Sequence, residues 1–103
     1  MEKVYNFTEQ QVKEYAEESA KSVVIYSFEN DHHNNIRRKA TKAESYLVER
    51  AIAAALLAIR SGYDEDSAKA TAEFFVLYNT GKTHVNTNDS VYVPIKDFLA
   101  AWE

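Results

Sequence analysis

Residues 41 to 60 read TKAESYLVERAIAAALLAIR, a run of strong helix formers that is rich in alanine and leucine. Thr41 and Glu44 have the spacing of a capping box, in which each side chain satisfies a backbone amide of the other residue. Asn35 could equally cap a longer helix that includes Ile36 to Lys39. From Tyr46 onward apolar residues occupy nearly every side, and Gly62 follows as a left-handed cap. A helix that is apolar all round is buried on several sides. The sequence therefore predicts a central helix that other helices, or a second subunit, surround.

Further helices are predicted on both sides of the central one. Thr8–Gln11 is a second capping box, and we expect a first helix that starts there and reaches about Glu29. The segment Ser22–Phe28 is rich in β-branched and aromatic residues, so a strand is the alternative for that part. A third helix follows Gly62, opens with acidic residues against the positive end of its dipole, and stops at Asn79–Gly81.

The last quarter of the chain predicts a hairpin and a short helix. Thr83–Thr87 and Val91–Val93 flank Asn88-Asp89, which is typical of a tight turn between two strands. Pro94 suits a first helical turn. The amphipathic stripe that follows consists of Ile95, Phe98, Leu99 and Trp102. We expect this stripe to complete the core, with docking of Phe98 and Trp102 onto a partner as the alternative. The predicted fold is mainly α: a compact bundle of three principal helices, a short β-hairpin and a C-terminal amphipathic helix, in one domain over residues 1–103.

Composition excludes several classes of protein. With 46% apolar and 27% charged residues, the chain resembles neither a disordered nor a membrane-spanning protein. Its longest apolar run, Ala51–Ile59, is too short to cross a bilayer. There is no cysteine and no visible secretory signal, so we expect a soluble cytoplasmic protein. A net charge of −4 argues against general affinity for nucleic acid.

A basic cluster just before the central helix is the leading candidate site. Four of the twelve lysines and arginines lie within six positions: Arg37, Arg38, Lys39 and Lys42. Cations oppose the dipole at a helix N-terminus, and a bound anion would explain their presence, because the dipole, the free amides and the arginines would then act together. The alternative is that these cations pair with acidic neighbours such as Glu44, or are simply solvated.

Neighbouring residues could complete a ligand site there. His32, His33 and Asn35 offer donors, and Tyr26 or Tyr46 offers a stacking face for a base. Adjacent histidines without a spaced third ligand do not predict a metal site, and we expect neither metal nor cofactor. The sequence has no nucleophile elbow, serine triad order or dinucleotide fingerprint. We therefore expect a protein that is not an enzyme.

Two functions of different class follow. The first is a non-catalytic binding protein that captures a small anionic, nucleotide-like ligand, which would suit sequestration of a signal molecule in a phage or bacterial setting. The second is a protein-interaction module, an inhibitor or regulator, that uses tyrosines and the acidic face of the first helix. In either case the alanine-rich central helix favours a homo-oligomer, and no membrane partner is expected.

A third hypothesis comes from a local likeness. Residues 54 to 69, AALLAIRSGYDEDSAK, resemble the helix-turn-helix segment of phage small terminase subunits, where an apolar helix ends in a Gly-Tyr turn before an alanine-rich helix. The resemblance implies DNA binding if the second helix is a recognition helix. Its first turn holds Asp64, Glu65 and Asp66, which would repel phosphate. The hairpin of two helices is therefore better explained as structural. Among a small anionic ligand, a protein and nucleic acid, nucleic acid is the least favoured partner. The likeness does not assign the chain to a family.

Overall fold

The computed structural model describes residues 5–27, 36–81 and 83–102. Within these ranges the chain forms four α-helices, α1 (Glu9–Ala20), α2 (Lys42–Arg60), α3 (Glu65–Asn79) and α4 (Val93–Ala101). A π-helical turn, Asn88–Tyr92, runs directly into α4. The described ranges also contain three strands, β1 (Val24–Ser27), β2 (Ile36–Lys39) and β3 (Thr83–Val85). The predicted mainly α class with a short β-hairpin is confirmed.

Helix α2 has the ends that its sequence predicts. The hydroxyl of Thr41 accepts from the backbone N–H of Glu44, and the Glu44 carboxylate accepts from the backbone N–H of Thr41, which completes the capping box. At the other end Gly62 has a φ of 106°. The amides of Gly62 and Tyr63 donate to the carbonyls of Ile59 and Ala58, the pair of bonds that defines a Schellman motif. The buried residues of α2 are Val48, Ala51, Ile52, Ala55, Leu56 and Ile59.

The predicted extension of the first helix to Glu29 is wrong. Helix α1 ends at Ala20, a turn follows, and the chain continues as strand β1, while Glu29 lies outside the described residues. The alternative of a strand within Ser22–Phe28 is the one that the structure adopts. Val23 and Ile25 are buried, and Val24 between them is only partly so, because side chains of a strand alternate between its two faces.

The predicted hairpin over Thr83–Thr87 and Val91–Val93 is also wrong. Only β3 is a strand, and it pairs with β1, far away in sequence. Asn88 and Asp89 do not form a strand turn but lie at the start of a helical segment. There the Asn86 side chain donates to the Asp89 carboxylate (2.8 Å) and the Asn86 carbonyl accepts from Ser90 N–H (3.0 Å). These bonds lead the chain into the π-helical turn.

The three strands form one antiparallel sheet with the order β2-β1-β3. Strand β1 is central, and β2 pairs with it to make the hairpin of the fold. Ile25 on β1 lies opposite Val85 on β3, and both side chains are buried in the same core as α1 and α2. One face of the sheet is thereby covered by the helical body.

The short helix α4 closes the other side of the core. Phe98 packs edge-on against Phe7, with ring centroids 4.9 Å apart, and lies 4.7 Å from the Tyr15 ring. The Tyr15 hydroxyl donates to the Pro94 carbonyl at 2.7 Å and so ties α1 to the first turn of α4. None of the helices in the described part of the chain has the length and apolar character needed to cross a lipid bilayer.

Candidate functional site

The structure places the predicted basic cluster on two different elements. Arg37, Arg38 and Lys39 lie on β2, an edge strand of the sheet, whereas Lys42 is the first residue of α2. Lys39 and Lys42 are exposed. The alternative of a longer helix that includes Ile36 to Lys39 is wrong, because these residues pair with β1 as a strand. Most of the cluster therefore belongs to the sheet, and only Lys42 lies at the helix N-terminus on which the prediction was based.

The pairing register brings three distant residues into one row across the sheet. Tyr26 on β1 lies opposite Arg37 on β2 and opposite His84 on β3. Residues that are directly opposite in an antiparallel pair have Cβ atoms about 5 Å apart and occupy the same face. The row therefore spans roughly 10 Å, with the tyrosine position at its centre. Arg37 and Tyr26, two of the predicted ligand residues, are brought together by this register.

The same face continues one row further. Lys39 lies opposite Val24, two residues from the Arg37–Tyr26 row on each strand. Since strand positions alternate between faces, this face is the opposite of the one that Ile25 presents to the core. Lys39 is exposed and Ile25 is fully buried, in agreement with that assignment. We call the row Arg37–Tyr26–His84, together with Lys39, the outer sheet face.

Arg38 belongs to the other face and makes an ion pair there. Its Nη1 and Nη2 donate to Glu44 Oε1 (2.7 Å) and Oε2 (2.8 Å). The pair joins β2 to the first turn of α2, and the Glu44 side chain is only 15% exposed. For Arg38 the structure thus adopts the ion-pairing alternative.

The electrostatics of Glu44 follow from these contacts. The hydrogen bonds from Arg38 are the main reason that the pKa of Glu44 falls to about 2, while burial opposes the shift and the backbone and hydroxyl of Thr41 support it. Glu44 thus stays ionised at any ordinary pH. One carboxylate thus holds the Arg38 guanidinium and completes the capping box of α2.

Other predicted ligand residues lie elsewhere or outside the described residues. Tyr46 is on the exposed side of α2, where the Arg50 guanidinium carbon lies 5.6 Å from its ring centroid. This geometry is a cation–π contact within one helix. His32, His33 and Asn35 lie outside the described residues.

His84 is the residue of the outer sheet face that the sequence analysis did not include. It is 58 positions after Tyr26, and the predicted hairpin paired its strand locally rather than with β1. The strand-like pattern of Ser22–Phe28 is the sequence feature from which the role of His84 could have been predicted. A strand there needs partners, and the extended segment that the sequence predicts over Thr83–Thr87 offers one.

A second surface feature is an apolar groove between α2 and α3. It encloses about 410 Å³, and alanines form much of its floor. The lining residues on α2 are Arg50, Ala51, Ala54, Ala55 and Ala58, and those beyond it are Tyr63, Ser67, Ala68, Thr71, Ala72 and Phe75. The small side chains of α2, which the sequence analysis linked to close approach of a neighbour, thus leave a depression on the surface.

Large aromatic side chains lie beside this groove. Thr71 and Phe75 line it, and Phe74 and Tyr78 continue the same helical stripe at spacings of three and four residues. The rings of Phe74 and Tyr78 stack with centroids 5.7 Å apart, and their side chains are 67% and 76% exposed. Tyr63, at the α2–α3 turn, is 71% exposed.

The two residues predicted as possible partner contacts have different environments. Phe98 is 7% exposed and packs against Phe7 and Tyr15, so it completes the core of its own chain. Trp102 is 36% exposed and its ring lies 5.9 Å from that of Phe7. Of the pair, only Trp102 offers surface to a partner.

Among the described residues, no three histidine, cysteine or acidic side chains lie together where they could hold a metal ion. Comparison of the chain with protein-family models, with curated proteins and with solved structures finds no match.

Proposed function

We propose that this protein captures a small anionic, nucleotide-like ligand on the outer sheet face without catalysing a reaction. The observation that carries the proposal is the register that sets Arg37, Tyr26 and His84 in one row, with Lys39 on the same face. An aromatic position between basic positions suits a base with an attached phosphate, because bases stack on aromatic rings and phosphates bind cations.

The dimensions of the face suit a ligand of this size. A base at the Tyr26 position would leave its phosphate beside the Arg37 and Lys39 positions, since neighbouring positions on one face lie about 5 to 8 Å apart. Arginine binds phosphate through two parallel hydrogen bonds, and lysine binds it as a point charge. Lys42, exposed at the start of α2, adds a further cation close by in the chain.

In this proposal Arg38 is a positioning residue. Its two bonds to Glu44 fix the end of β2 against α2. That restraint keeps the β2 edge in register with β1, so the outer sheet face is held in place before a ligand arrives. Preorganisation of this kind lowers the conformational entropy that binding costs.

Sequestration of a signal nucleotide in the cytoplasm of a bacterium, including one infected by a phage, would suit a small binding protein of this kind. The support is the cysteine-free, mildly acidic composition together with one basic face. This setting makes a nucleotide signal the first ligand class to test.

The test is a thermal-shift screen of the full chain with nucleoside monophosphates, nucleoside triphosphates, cyclic dinucleotides and inorganic tripolyphosphate. A ligand that binds only the folded state raises Tm, by an amount that grows with its concentration over Kd. We expect a nucleotide to raise Tm in the parent, and the combined Arg37→Ala and Lys39→Ala variant to lose that rise.

The matched control removes two exposed cations elsewhere, Lys13 on α1 and Lys96 on α4, as Lys13→Ala with Lys96→Ala. This control changes the net charge by the same amount as the Arg37→Ala and Lys39→Ala variant, but it leaves the outer sheet face intact. It should therefore keep the ligand-induced rise in Tm. A parent without any rise, or an equal loss in both double variants, would refute the proposal.

A second candidate function is a protein-interaction module. One observation favours it, namely that α1 exposes a row of carboxylates along the face away from the core. These are Glu14, Glu17 and Glu18, and Glu9 is a further exposed carboxylate in the first turn of α1. Retention of a stoichiometric protein partner that is lost on charge reversal of Glu14 and Glu17, and kept by the Arg37→Ala and Lys39→Ala variant, would support this function over ligand capture.

A further inference from the structure

We infer that the groove between α2 and α3 is the interface through which two copies of this chain associate, each inserting Phe74 and Tyr78 into the groove of the other. The inference concerns a surface that ligand capture does not use. It stands or falls independently of the outer sheet face.

Large and small side chains lie next to each other on this surface. A two-fold interface uses one patch on both copies, so the patch must carry both a projecting and a receiving part. Here Phe74 and Tyr78 project from the stripe whose other members, Thr71 and Phe75, line the groove. The receiving part is a depression of about 410 Å³ with an alanine floor. The two parts are contiguous on one surface.

The exposed area of the aromatic side chains can be compared with the area that a stable dimer interface buries. With about 200 Å² for each aromatic side chain, the exposed fractions of Tyr63, Phe74 and Tyr78 amount to roughly 400 Å². A stable interface of ordinary size buries about 800 Å² on each partner. The three aromatic residues thus supply about half of what a dimer needs. The groove itself, with Tyr46 beside its lining residue Arg50, adds further exposed apolar surface.

The groove and its surroundings have the residue types of a protein interface. Tyrosine, phenylalanine and arginine are the residue types enriched at protein interfaces, whereas lysine and acidic residues are depleted. Arg50 is the charged residue among those that line the groove. Its guanidinium lies over the Tyr46 ring and shields part of that ring from water. Arg50 and Tyr46 therefore suit the rim of the interface, with the groove as its apolar centre.

The test is the molar mass of the full chain in solution, by sedimentation equilibrium over a concentration series. We expect twice the chain mass of 11.8 kDa, with dissociation on dilution. The principal variant is Ala54→Glu, which puts a carboxylate at an exposed position of the groove. Its matched control is Ala100→Glu, at an exposed alanine of α4 outside the groove. We expect the dimer Kd to rise at least about tenfold in the first variant and less than about twofold in the second.

A second variant guards against misfolding of the first. Phe74→Ser with Tyr78→Ser changes only exposed side chains, so its circular dichroism should match that of the parent while its mass falls to that of one chain. A parent that stays monomeric at about 500 µM would overturn the inference and leave the groove to a different protein. A dimer that both variants leave intact would overturn it as well, since copies would then associate through another face.

Discussion

Arg38 and Glu44 form a two-point ion pair that links the edge strand of the sheet to the first turn of α2, with N–O distances of 2.7 and 2.8 Å. The same Glu44 carboxylate accepts from the backbone N–H of Thr41 at 2.9 Å. A single side chain thus caps the central helix and fixes the strand that carries the candidate ligand residues. Stability and the proposed function are connected through this carboxylate.

The Glu44→Gln variant should separate the ion pair from the helix cap. Glutamine still serves in a capping box, so the loss should be that of the charged pair, about 1 kcal/mol in the free energy of unfolding. Glu44→Ala also removes the acceptor for the Thr41 backbone N–H, one half of the capping box, and should cost about 1 kcal/mol more. Urea unfolding at neutral pH measures both values. Glu17→Gln, an exposed acid of α1, is the control and should change stability little; an equal loss there would contradict the account.

Acid should abolish the contribution of the same pair. The pKa of Glu44 is lowered from 4.5 to about 2 in the folded chain, chiefly by Arg38, so the unfolded chain takes up this proton more readily. The contribution is therefore complete above about pH 4.5 and is lost as the pH falls through about 2. The stability difference between the parent and Glu44→Gln should shrink over that range. A difference that stays constant from pH 6 to pH 2 would contradict the ion pair.

Tyr15→Phe should loosen the attachment of α4. The variant keeps the ring that packs on Phe98 but removes the hydroxyl that donates to the Pro94 carbonyl. A lost hydrogen bond of this kind costs about 1 kcal/mol in the free energy of unfolding. Tyr63→Phe, at an exposed tyrosine, should cost almost nothing. Thermal unfolding of the two variants side by side checks the difference, and equal Tm values would argue against the bond.

The two faces of β1 should respond differently to truncation. Ile25→Ala removes a fully buried side chain and should destabilise the fold by about 2 to 4 kcal/mol. Val24→Ala, one position away on the outer sheet face, should cost less than about 1.5 kcal/mol because Val24 is only partly buried. Denaturant unfolding measures both. A larger loss at Val24 than at Ile25 would invert the face assignment on which the ligand site depends.

The helical part of the fold could be predicted because its signals are local. Capping boxes at Thr8 and Thr41 and the glycine at 62 specify helix ends within a few residues, and the structure confirms all three. The acidic first turn of α3 is confirmed likewise, with Asp64 as N-cap. In each case neighbouring residues contain the information that defines the boundary.

The sheet could not be predicted in the same way, because its partners are distant. Whether Ser22–Phe28 is helix or strand depends on β2 and on β3, which lies almost 60 residues later. Asn88-Asp89 misled the prediction because asparagine and aspartate suit a helix start as well as a strand turn. The basic cluster was recognised from its charge, but its placement beside Tyr26 and His84 required the pairing register.

The most direct test of ligand capture is a titration of isotope-labelled protein with nucleoside triphosphates and cyclic dinucleotides, followed by amide chemical shifts. We predict that the largest shifts occur at residues 24–26, 37–39 and 84, and that they vanish in the Arg37→Ala and Lys39→Ala variant. The absence of shifts with every nucleotide, or shifts confined to α2 and α3, would contradict the assignment of the outer sheet face as the binding site.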